Sequence, residues 1–354
     1  DLLPLWVADM DFRLPDEILD EFHKRIDHGI FGYTDPLDEY FDAMNHWFST
    51  RYGYTIKPEW VTLGAGIVYA LGTSVKAFTE EGDAMMVMQP VYYPFSEVIK
   101  NDGRKLVNCQ LRYENNRYSI DFEKMEQMIK EENVKALIFC NPHNPVGRVW
   151  TREEMEKVAE ICLKYNVIWM VDEMHCDFIF PGHEFTSCMN LDKKFHEIIA
   201  LYSSPGKTFN VAGLQPANII IPNEELRKKY QWANTQAAYS QGSLMGQLAV
   251  KVCYTKGADW VDELVEYIYE NVKYMSRYVK ENFPKAKMVE PEGTYLVWVD
   301  FSGYGFSNEE LEHLMLEEAK LWLDSGIIFG PETAQFERFN VAEKALIVTA
   351  DVVE

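Results

Sequence analysis

Short apolar runs alternate with segments of helical period along the first two thirds of this sequence. Apolar runs with the length of buried strands lie at 84–88, 134–140, 167–171, 197–202 and 217–221. Apolar residues recur at helical spacing at 91–101, 151–165 and 223–236. Because strands that alternate with helices usually form parallel sheets, this order predicts an α/β fold with a mostly parallel sheet between helices.

The pattern changes after about residue 243, where the alternation of strands and helices stops. The sequence there predicts a long helical stretch to about Asn282, a strand at 295–301, an amphipathic helix at 307–323, and short strands at 336–341 and 345–349. This order is typical of an α+β unit. We therefore expect a large domain at 31–245 and a small domain built from 1–30 and 246–354.

The composition argues against several classes of protein. The 34 basic and 56 acidic residues give a net charge of −22, which repels a nucleic-acid backbone. No apolar run approaches the ~20 residues that cross a bilayer, so we expect no membrane partner. The six cysteines form no Cys-x-x-Cys pair, which favours free thiols in a reducing cytoplasm. The first residues show neither a secretory leader nor an initiator Met, so we expect the native chain to start upstream.

Two residues at predicted strand ends are candidates for chemistry. Lys207 lies in a Ser/Pro/Gly-rich loop directly after the run 197–202, and Asp172 directly follows the run 167–171. Ligands of open α/β sheets bind at the carboxyl ends of strands. The carboxylate of Asp172 needs a cationic partner there, for which a strand-end cap or a metal ion is the alternative. For Lys207, the alternative is a solvated loop lysine.

Three other segments are candidates for the same site. Asn144 lies in Asn-Pro-His-Asn-Pro-Val-Gly, which follows a predicted strand but is also typical of a simple turn. Gly66, Ile67 and Val68 open a helical run, where free backbone amides can bind a phosphate group. Tyr92, in Gln-Pro-Val-Tyr-Tyr-Pro-Phe, offers an aromatic face to a planar cofactor or to an aromatic core.

In this order, these segments resemble fold-type I pyridoxal-phosphate (PLP) enzymes of the aminotransferase class I/II superfamily, over nearly the whole chain. The runs at 4–12, 29–34, 90–95, 141–150 and 204–210 narrow the resemblance to the MalY/PatB cystathionine β-lyase (C–S lyase) group. The resemblance implies the PLP-dependent transferase fold (aspartate aminotransferase-like), pyridoxal 5′-phosphate as cofactor, a small-molecule amino acid as substrate and no metal.

The resemblance assigns the cofactor-binding residues by motif. Lys207 matches the lysine that holds PLP as a Schiff base and removes the substrate Cα proton, and Asp172 matches the acid that faces the pyridine nitrogen. Asn144 and His175 lie where relatives contact the phenolic oxygen, and Tyr92 matches the ring stacked on PLP. The positions that match phosphate-binding groups are the Ser204 hydroxyl and the backbone at Gly66, Ile67 and Val68.

Further matches concern the substrate and the second subunit. Arg338 matches the arginine that binds the substrate α-carboxylate through two hydrogen bonds, with a surface arginine as the alternative. Ala8 lies where the N-terminal segment crosses that carboxylate, and Tyr93 is assigned to the substrate beside Tyr92. Tyr33 matches the tyrosine that reaches the phosphate of the neighbouring active site, which implies a homodimer.

Three segments depart from the pattern of the group. Gly206 stands where the group usually has a serine, so we expect looser phosphate binding. The segment 213–218 lacks the phosphate-binding arginine of many aminotransferases, and 341–345 replaces the usual Ala-Cys-Pro-Arg continuation. The departures leave the main catalytic matches in place.

The resemblance implies that the protein cleaves cystathionine or related cysteine S-conjugates by α,β-elimination, giving a thiol such as homocysteine, pyruvate and ammonia. One alternative is a class I/II aminotransferase that acts on an amino acid and a 2-oxo acid, because both reactions use the same residues. Another is a non-catalytic PLP-binding regulatory protein. The presence of Lys207, Asp172, Asn144 and Arg338 argues against that second alternative, since a binding role does not require all four.

Overall fold

The computed structural model describes residues 2–343. Its strands are β1 (Leu3–Pro4), β2 (Val61–Leu63), β3 (Ala84–Val87), β4 (Lys105–Asn108), β5 (Arg112–Glu114), β6 (Arg117–Ser119), β7 (Ala136–Cys140), β8 (Ile168–Asp172), β9 (Ile199–Ser203), β10 (Asn218–Ile220), β11 (Lys287–Val289), β12 (Leu296–Asp300), β13 (Leu321–Trp322), β14 (Asp324–Ser325) and β15 (Phe336–Asn340). Its α-helices are α1 (Asp16–His28), α2 (Asp38–Tyr52), α3 (Ile67–Phe78), α4 (Tyr93–Asn101), α5 (Phe122–Glu132), α6 (Arg152–Lys164), α7 (Glu224–Gln236), α8 (Leu244–Lys256), α9 (Ala258–Asn282) and α10 (Asn308–His313). Within residues 2–343, none of the helices has the length and apolar character that a bilayer span requires.

Seven strands form the central sheet, in the order β2-β10-β9-β8-β7-β3-β4. The pairs from β9 to β4 are parallel, and β10 is antiparallel to both β2 and β9. Strands β7, β8 and β9 are almost wholly buried and apolar along their length, as expected of parallel strands covered on both faces. This confirms the predicted α/β fold. The register pairs Cys140 with Asp172 and Asp172 with Tyr202, so these three strands end at the same level.

A second, antiparallel sheet has the order β11-β12-β15-β14. In this sheet Arg338 on β15 is paired with Asp324 on β14. The N-terminal segment joins the same unit, because β1 pairs in parallel with β13 and the Trp6 ring stacks on Trp322 with centroids 4.5 Å apart. The backbone that carries Ala8 is therefore held against the second sheet.

The buried side chains form three clusters. Two surround the central sheet, and one of these also includes Trp298 and Phe336 of the second sheet. The third joins α9, the second sheet and the N-terminal segment. Helix α1 places Ile18 and Phe22 in a cluster of the central sheet and packs on α8. The predicted boundary at 245/246 falls inside α8. The division into 31–245 and the two flanking parts stays a prediction.

After about residue 243, two predicted helices differ from the observed ones, and the strands β11, β13 and β14 were not predicted. The helical stretch predicted to Asn282 is two helices, α8 and α9, which meet at Gly257. A Cβ atom at Gly257 would collide with the Phe209 ring, so the bend lies where only glycine fits. The helix predicted at 307–323 stops earlier, because the chain then forms β13 and pairs with β1. The strand predicted at 345–349 lies outside the described residues.

Candidate active site

The carboxyl ends of β7, β8 and β9 open onto a cavity of about 260 Å³. The loops after these strands line one side, and the start of α3, the N-terminal segment, β14 and β15 line the others. The cavity brings together these residues singled out from the sequence: Ala8, Gly66, Ile67, Val68, Tyr92, Tyr93, Asn144, Asp172, His175, Ser204, Lys207 and Arg338. Segments far apart in the sequence therefore meet at one edge of the sheet, where open α/β sheets bind ligands.

Lys207 lies in the turn after β9, with its amine directed at the N-terminal segment. Its Nζ donates a hydrogen bond to the Ala8 carbonyl oxygen at 2.7 Å and lies 3.8 Å from an Asp9 carboxylate oxygen. Burial lowers the pKa of Lys207 from its ordinary value, Asp9 opposes this change, and the charge of Arg338 adds to it. The amine is therefore more easily deprotonated than that of a surface lysine, as a nucleophile and proton acceptor requires.

Asp172 ends β8 and is buried at the cavity. One of its carboxylate oxygens accepts a hydrogen bond from the Met174 backbone amide at 3.0 Å. Burial raises the pKa of Asp172 to about 7, and the Met174 amide and the Lys207 charge only partly oppose that rise. A cationic ring nitrogen placed against this carboxylate would favour its ionised form. The environment thus suits an acid that faces a pyridine nitrogen.

His175 and Asn144 offer polar groups to a ligand in the cavity. The Nδ1 atom of His175 is buried and has no hydrogen-bond partner among residues 2–343, and burial lowers the pKa of His175 to about 3. The imidazole is therefore neutral at physiological pH. Asn144 accepts a hydrogen bond from Arg338 Nη1 at 3.0 Å, and its backbone carbonyl accepts one from the Tyr92 amide at 3.0 Å. Burial raises the pKa of Tyr92 to about 12, so its phenol stays protonated.

The first residues of α3 line one end of the cavity. Gly66 precedes the helix with a φ of 88°, which a residue with a side chain rarely adopts. The amides of Ile67 and Val68 lie in the first turn, where an α-helix provides no carbonyl partner for its N–H groups. Such amides, together with the helix dipole, bind phosphate groups.

Ser204 and Gly206 form a tight turn beside this helix end. The Ser204 hydroxyl donates to the Pro216 carbonyl oxygen at 2.6 Å and accepts from the Gly206 amide at 3.0 Å. To donate to a phosphate, the hydroxyl would have to turn away from Pro216. A Cβ atom at Gly206 would lie 3.1 Å from Ser204 Oγ and 3.3 Å from the Ala212 Cα, so a serine here would require these neighbours to shift by a few tenths of an ångström.

Arg338 is 2% exposed, so it is not a surface arginine. Its Nη1 donates to Asn144, and its Nη2 donates to the Trp6 carbonyl oxygen at 2.8 Å and to the Asp324 carboxylate. Its guanidinium carbon also lies 4.9 Å from the Phe329 ring centroid. Packing and hydrogen bonds together hold the guanidinium at the cavity, where a carboxylate ligand could reach it.

The N-terminal segment closes the side of the cavity next to Lys207. The Ala8 carbonyl oxygen accepts a second hydrogen bond, from the Tyr295 hydroxyl at 2.8 Å. The side-chain amide of Asn340 donates to the carbonyl oxygens of Val7 and Asp9, at 2.8 and 2.6 Å. The backbone of this segment is thus oriented by side chains from several other elements.

Tyr33 does not line this cavity. Its side chain is 97% exposed. Ile30, Phe31 and Leu37, from the same stretch of chain, are also largely exposed apolar residues. Within a single chain, the structure therefore does not bring Tyr33 to the other predicted residues.

Asp324 is a cavity residue that the sequence interpretation missed. It follows the predicted helix 307–323 in a stretch without a binding motif, and an isolated acidic residue of this kind has no distinguishing signal in the sequence. Its relation to Arg338 arises from the pairing of β14 with β15. Trp6 and Val7 also line the cavity, in a segment that the sequence interpretation identified only through Ala8.

The chemistry of these residues fits PLP. The cavity holds an amine for the aldehyde, an acid for the ring nitrogen, and helix amides for the phosphate. The buried, unpartnered Nδ1 of His175 is a further polar atom that a ligand oxygen would satisfy.

The fold and the site together define an α/β enzyme of the aminotransferase type. The chain belongs to the aminotransferase class I and II family, which it matches over residues 1–345. It is 40% identical to cystathionine beta-lyase PatB of Bacillus subtilis over 340 residues, 96% of this chain and 88% of that protein. It is 29% identical to protein MalY of Escherichia coli over 96% of this chain and 87% of that protein.

A solved structure shows the same likeness in three dimensions. Cystalysin from Treponema denticola, whose crystal structure contains a pyridoxal 5′-phosphate cofactor, superimposes with a TM-score of 0.97 at 35% identity. The match covers 99% of this chain and 90% of that chain. These comparisons confirm the predicted fold and the predicted MalY/PatB group.

Proposed function

We propose that this chain is a PLP-dependent carbon–sulfur β-lyase. It cleaves cystathionine or related cysteine S-conjugates to a thiol, pyruvate and ammonia. The observation that carries the proposal is the 40% identity to cystathionine beta-lyase PatB across 96% of the chain, together with one cavity that gathers the PLP-type residues. The net reaction consumes one water, breaks the Cβ–S bond and returns a proton to sulfur.

The cofactor would be held at five points. Lys207 would bind its aldehyde carbon, and Asp172 would accept a hydrogen bond from the ring nitrogen. Asn144 and His175 would contact the phenolic oxygen, and Tyr92 would pack against the ring. The start of α3 would hold the phosphate, through the amides of Ile67 and Val68, with Gly66 and Ser204 beside it.

The substrate is oriented by its α-carboxylate. Arg338 binds that carboxylate, while the backbone at Ala8 and the side chain of Tyr93, which is 36% exposed, border the same space. Two-pronged binding by a guanidinium fixes direction as well as position. This orientation brings the Cα–H bond toward the Lys207 amine.

Lys207 is the group that transfers the proton. When bound, PLP supplies an electron sink for the pair of electrons left at Cα. The substrate amine would take the place of Lys207 at the cofactor, which frees Nζ to take the Cα proton, since burial favours the neutral form of this amine. Asp172 would stabilise a protonated ring nitrogen, and Tyr92 would keep its phenolic proton beside the reacting atoms. The thiolate would then leave from Cβ with the electrons of the Cβ–S bond and take up a proton.

Product analysis separates this function from its main alternative. The purified holoenzyme is given cystathionine with and without an added 2-oxo acid, and pyruvate, homocysteine and ammonia are measured. A lyase forms all three without the oxo acid. Turnover that requires the oxo acid would identify an aminotransferase. Absence of turnover at full cofactor occupancy would favour a PLP-binding regulatory protein.

The role of Lys207 has a test of its own. The variant Lys207→Ala is expected to lose the visible absorption that PLP shows when bound to a lysine amine, and to lose turnover. Lys76→Ala serves as the matched control, since Lys76 is exposed and paired with Asp102 at 3.2 Å. If Lys207→Ala kept the visible band, another lysine would hold the cofactor.

The active enzyme is proposed to be a homodimer in which Tyr33 reaches the phosphate of the neighbouring site. The exposure of Tyr33 and of Ile30, Phe31 and Leu37 supports this arrangement, because contiguous exposed apolar residues commonly mark interfaces. Sedimentation of the holoenzyme is expected to give a dimer mass, and Tyr33→Phe is expected to weaken PLP binding. A monomer with full activity would contradict the proposal.

The proposed location is the cytoplasm. All six cysteines are unpaired, as in proteins of a reducing compartment. The proposed partners are small amino-acid substrates rather than nucleic acid, given the net charge of −22.

A further inference from the structure

The guanidinium of Arg338 is already engaged by groups of the chain itself. Nη1 donates to Asn144, while Nη2 donates both to the Trp6 carbonyl oxygen and to the Asp324 carboxylate. The Nε–H group has no partner among residues 2–343. Arg338 thus forms an ion pair with a carboxylate in the space proposed for the carboxylate of the substrate.

The arrangement of the N–H groups in arginine decides whether these hydrogen bonds leave room for a substrate carboxylate. A guanidinium can offer a carboxylate two pairs of parallel N–H groups, one formed by Nε and Nη2 and the other by Nη1 and Nη2. Both pairs include Nη2. Because the two Nη2 hydrogens of Arg338 serve Trp6 and Asp324, neither pair is available. A two-pronged bond to a substrate requires that one of these acceptors leaves.

The Trp6 carbonyl is the harder acceptor to move. Its backbone is held on both sides, by the hydrogen bond from the Leu5 amide to the Trp322 carbonyl at 2.8 Å and by that from Asn340 to the Val7 carbonyl at 2.8 Å. The Trp6 ring is also stacked on Trp322.

The Asp324 carboxylate, by contrast, can leave by a side-chain rotation. Among residues 2–343, the Asp324 carboxylate accepts a side-chain hydrogen bond from Arg338 alone. The side chain also borders the cavity, so it has space to rotate. Movement of Asp324 therefore breaks one charged contact and leaves the backbone pairing of β14 with β15 in place.

We propose that Asp324 is a positioning residue that neutralises and orients Arg338 until the α-carboxylate of the substrate takes its place. The inference rests on the proposed role of Arg338 as the carboxylate-binding group. Asp324 then acts as an internal competitor, which weakens the binding of every carboxylate ligand. Substrates without a negative carboxylate cannot make the exchange.

Displacement changes the electrostatics around Asp324. The charged and titratable groups that face it are Arg338 and Glu337 from β15 and Tyr92 and Tyr93 from the start of α4. Once Arg338 is bound to a ligand, the Asp324 carboxylate has lost its cationic partner. It is still buried and lies near the acidic Glu337, and both conditions favour its protonated form. Ligand binding is then coupled to proton uptake, so affinity falls as pH rises.

The test uses the holoenzyme and propionate, an unreactive monocarboxylate, with calorimetry at several pH values. Asp324→Asn removes the competing charge and keeps the shape, so propionate is expected to bind about tenfold more tightly. The dependence of affinity on pH is expected to flatten in the variant. Asp324→Ser, which also lacks the carboxylate, should change affinity in the same direction.

Two further variants separate the possible outcomes. Asp9→Asn removes a carboxylate near the cavity that does not contact Arg338, and it should change propionate affinity much less. Weaker binding in Asp324→Asn and Asp324→Ser, or equal tightening in Asp9→Asn, would overturn the inference. Undiminished propionate binding in Arg338→Gln would instead contradict the proposed role of Arg338, whatever the product analysis shows for lyase activity.

Discussion

Replacing Asp172 by asparagine tests the electrostatic core of the site. Asparagine has nearly the same shape and can still accept the hydrogen bond from the Met174 amide, but it carries no charge. Burial raises the pKa of Asp172 from 3.8 to about 7. In the protein without cofactor, the ionised carboxylate therefore lowers stability, and the variant should be the more stable form.

The sign and size of the effect follow from the two pKa values. Folding raises the pKa of this carboxyl group, so the folded state binds its proton more tightly than the unfolded state does. The free energy of unfolding is therefore highest below pH 3.8, and it falls as the pH rises from 3.8 to about 7. Relative to an uncharged side chain, the group costs about 3 kcal/mol at pH 6, where folding makes it take up a proton, and about 4 kcal/mol at pH 8, where it is mostly ionised. Between these pH values, apo wild type should lose about 1 kcal/mol relative to Asp172→Asn.

Binding of PLP should reverse the order of stability of wild type and Asp172→Asn. A protonated ring nitrogen gives Asp172 the cationic partner that the apoprotein lacks, so PLP should stabilise wild type more at pH 8 than at pH 6. Urea unfolding of apo and holo forms at both pH values measures the difference. Asp172→Asn should show less of this pH-dependent gain, together with a large loss of turnover.

Glu173 provides a matched control beside Asp172. Burial also raises its pKa to about 7, but its carboxylate accepts hydrogen bonds from the Ser187 hydroxyl and the Cys188 amide, both at 2.8 Å, and it does not line the cavity. Glu173→Gln should alter the pH dependence of apo stability and leave the gain from PLP intact. If Asp172→Asn retained the full pH-dependent gain, Asp172 would not be the partner of the ring nitrogen.

Two predictions concern the contact between the central sheet and the second sheet. Gly147→Ala should lower the free energy of unfolding by about 1–3 kcal/mol, because φ is 69° and the new Cβ atom would lie 2.8 Å from the Cβ atom of Pro291. Gly182 also has a positive φ, but a Cβ atom there would meet no neighbour. Gly182→Ala should therefore lower the free energy of unfolding less in the same urea titration. Arg148→Ala should cost about 3 kcal/mol, at the lower end for a buried ion pair, because Glu292 then keeps only the half-exposed Arg117 as a cationic partner. An unchanged unfolding midpoint would contradict this reasoning.

Much of the candidate site follows from local features of the sequence. An apolar run precedes each of the residues Lys207, Asp172 and Asn144. The parallel pairing of β7, β8 and β9 places the carboxyl ends of these strands side by side. Sequence periodicity is sufficient here because a buried parallel strand must be apolar throughout. The resemblance to the MalY/PatB group then distinguished chemical roles from turns and caps.

Other features depend on contacts between distant parts of the chain. The Phe209 ring leaves no room for a side chain at Gly257, between α8 and α9. The early end of the helix predicted at 307–323 coincides with the pairing of β13 with the N-terminal segment. Neither contact alters the local hydrophobic period. Patterns of short range therefore could not predict them.

The sequence by itself determined the alternation of strands and helices, the family, and the residues at the ends of the central strands, because these are encoded in periodicity and short motifs. Only the tertiary structure decided how Arg338 is engaged and that Asp324 belongs to the site. It also decided how burial changes the pKa of Asp172 and Lys207. Burial and ion pairing depend on which distant side chains meet, and that is set by packing of the two sheets and the N-terminal segment.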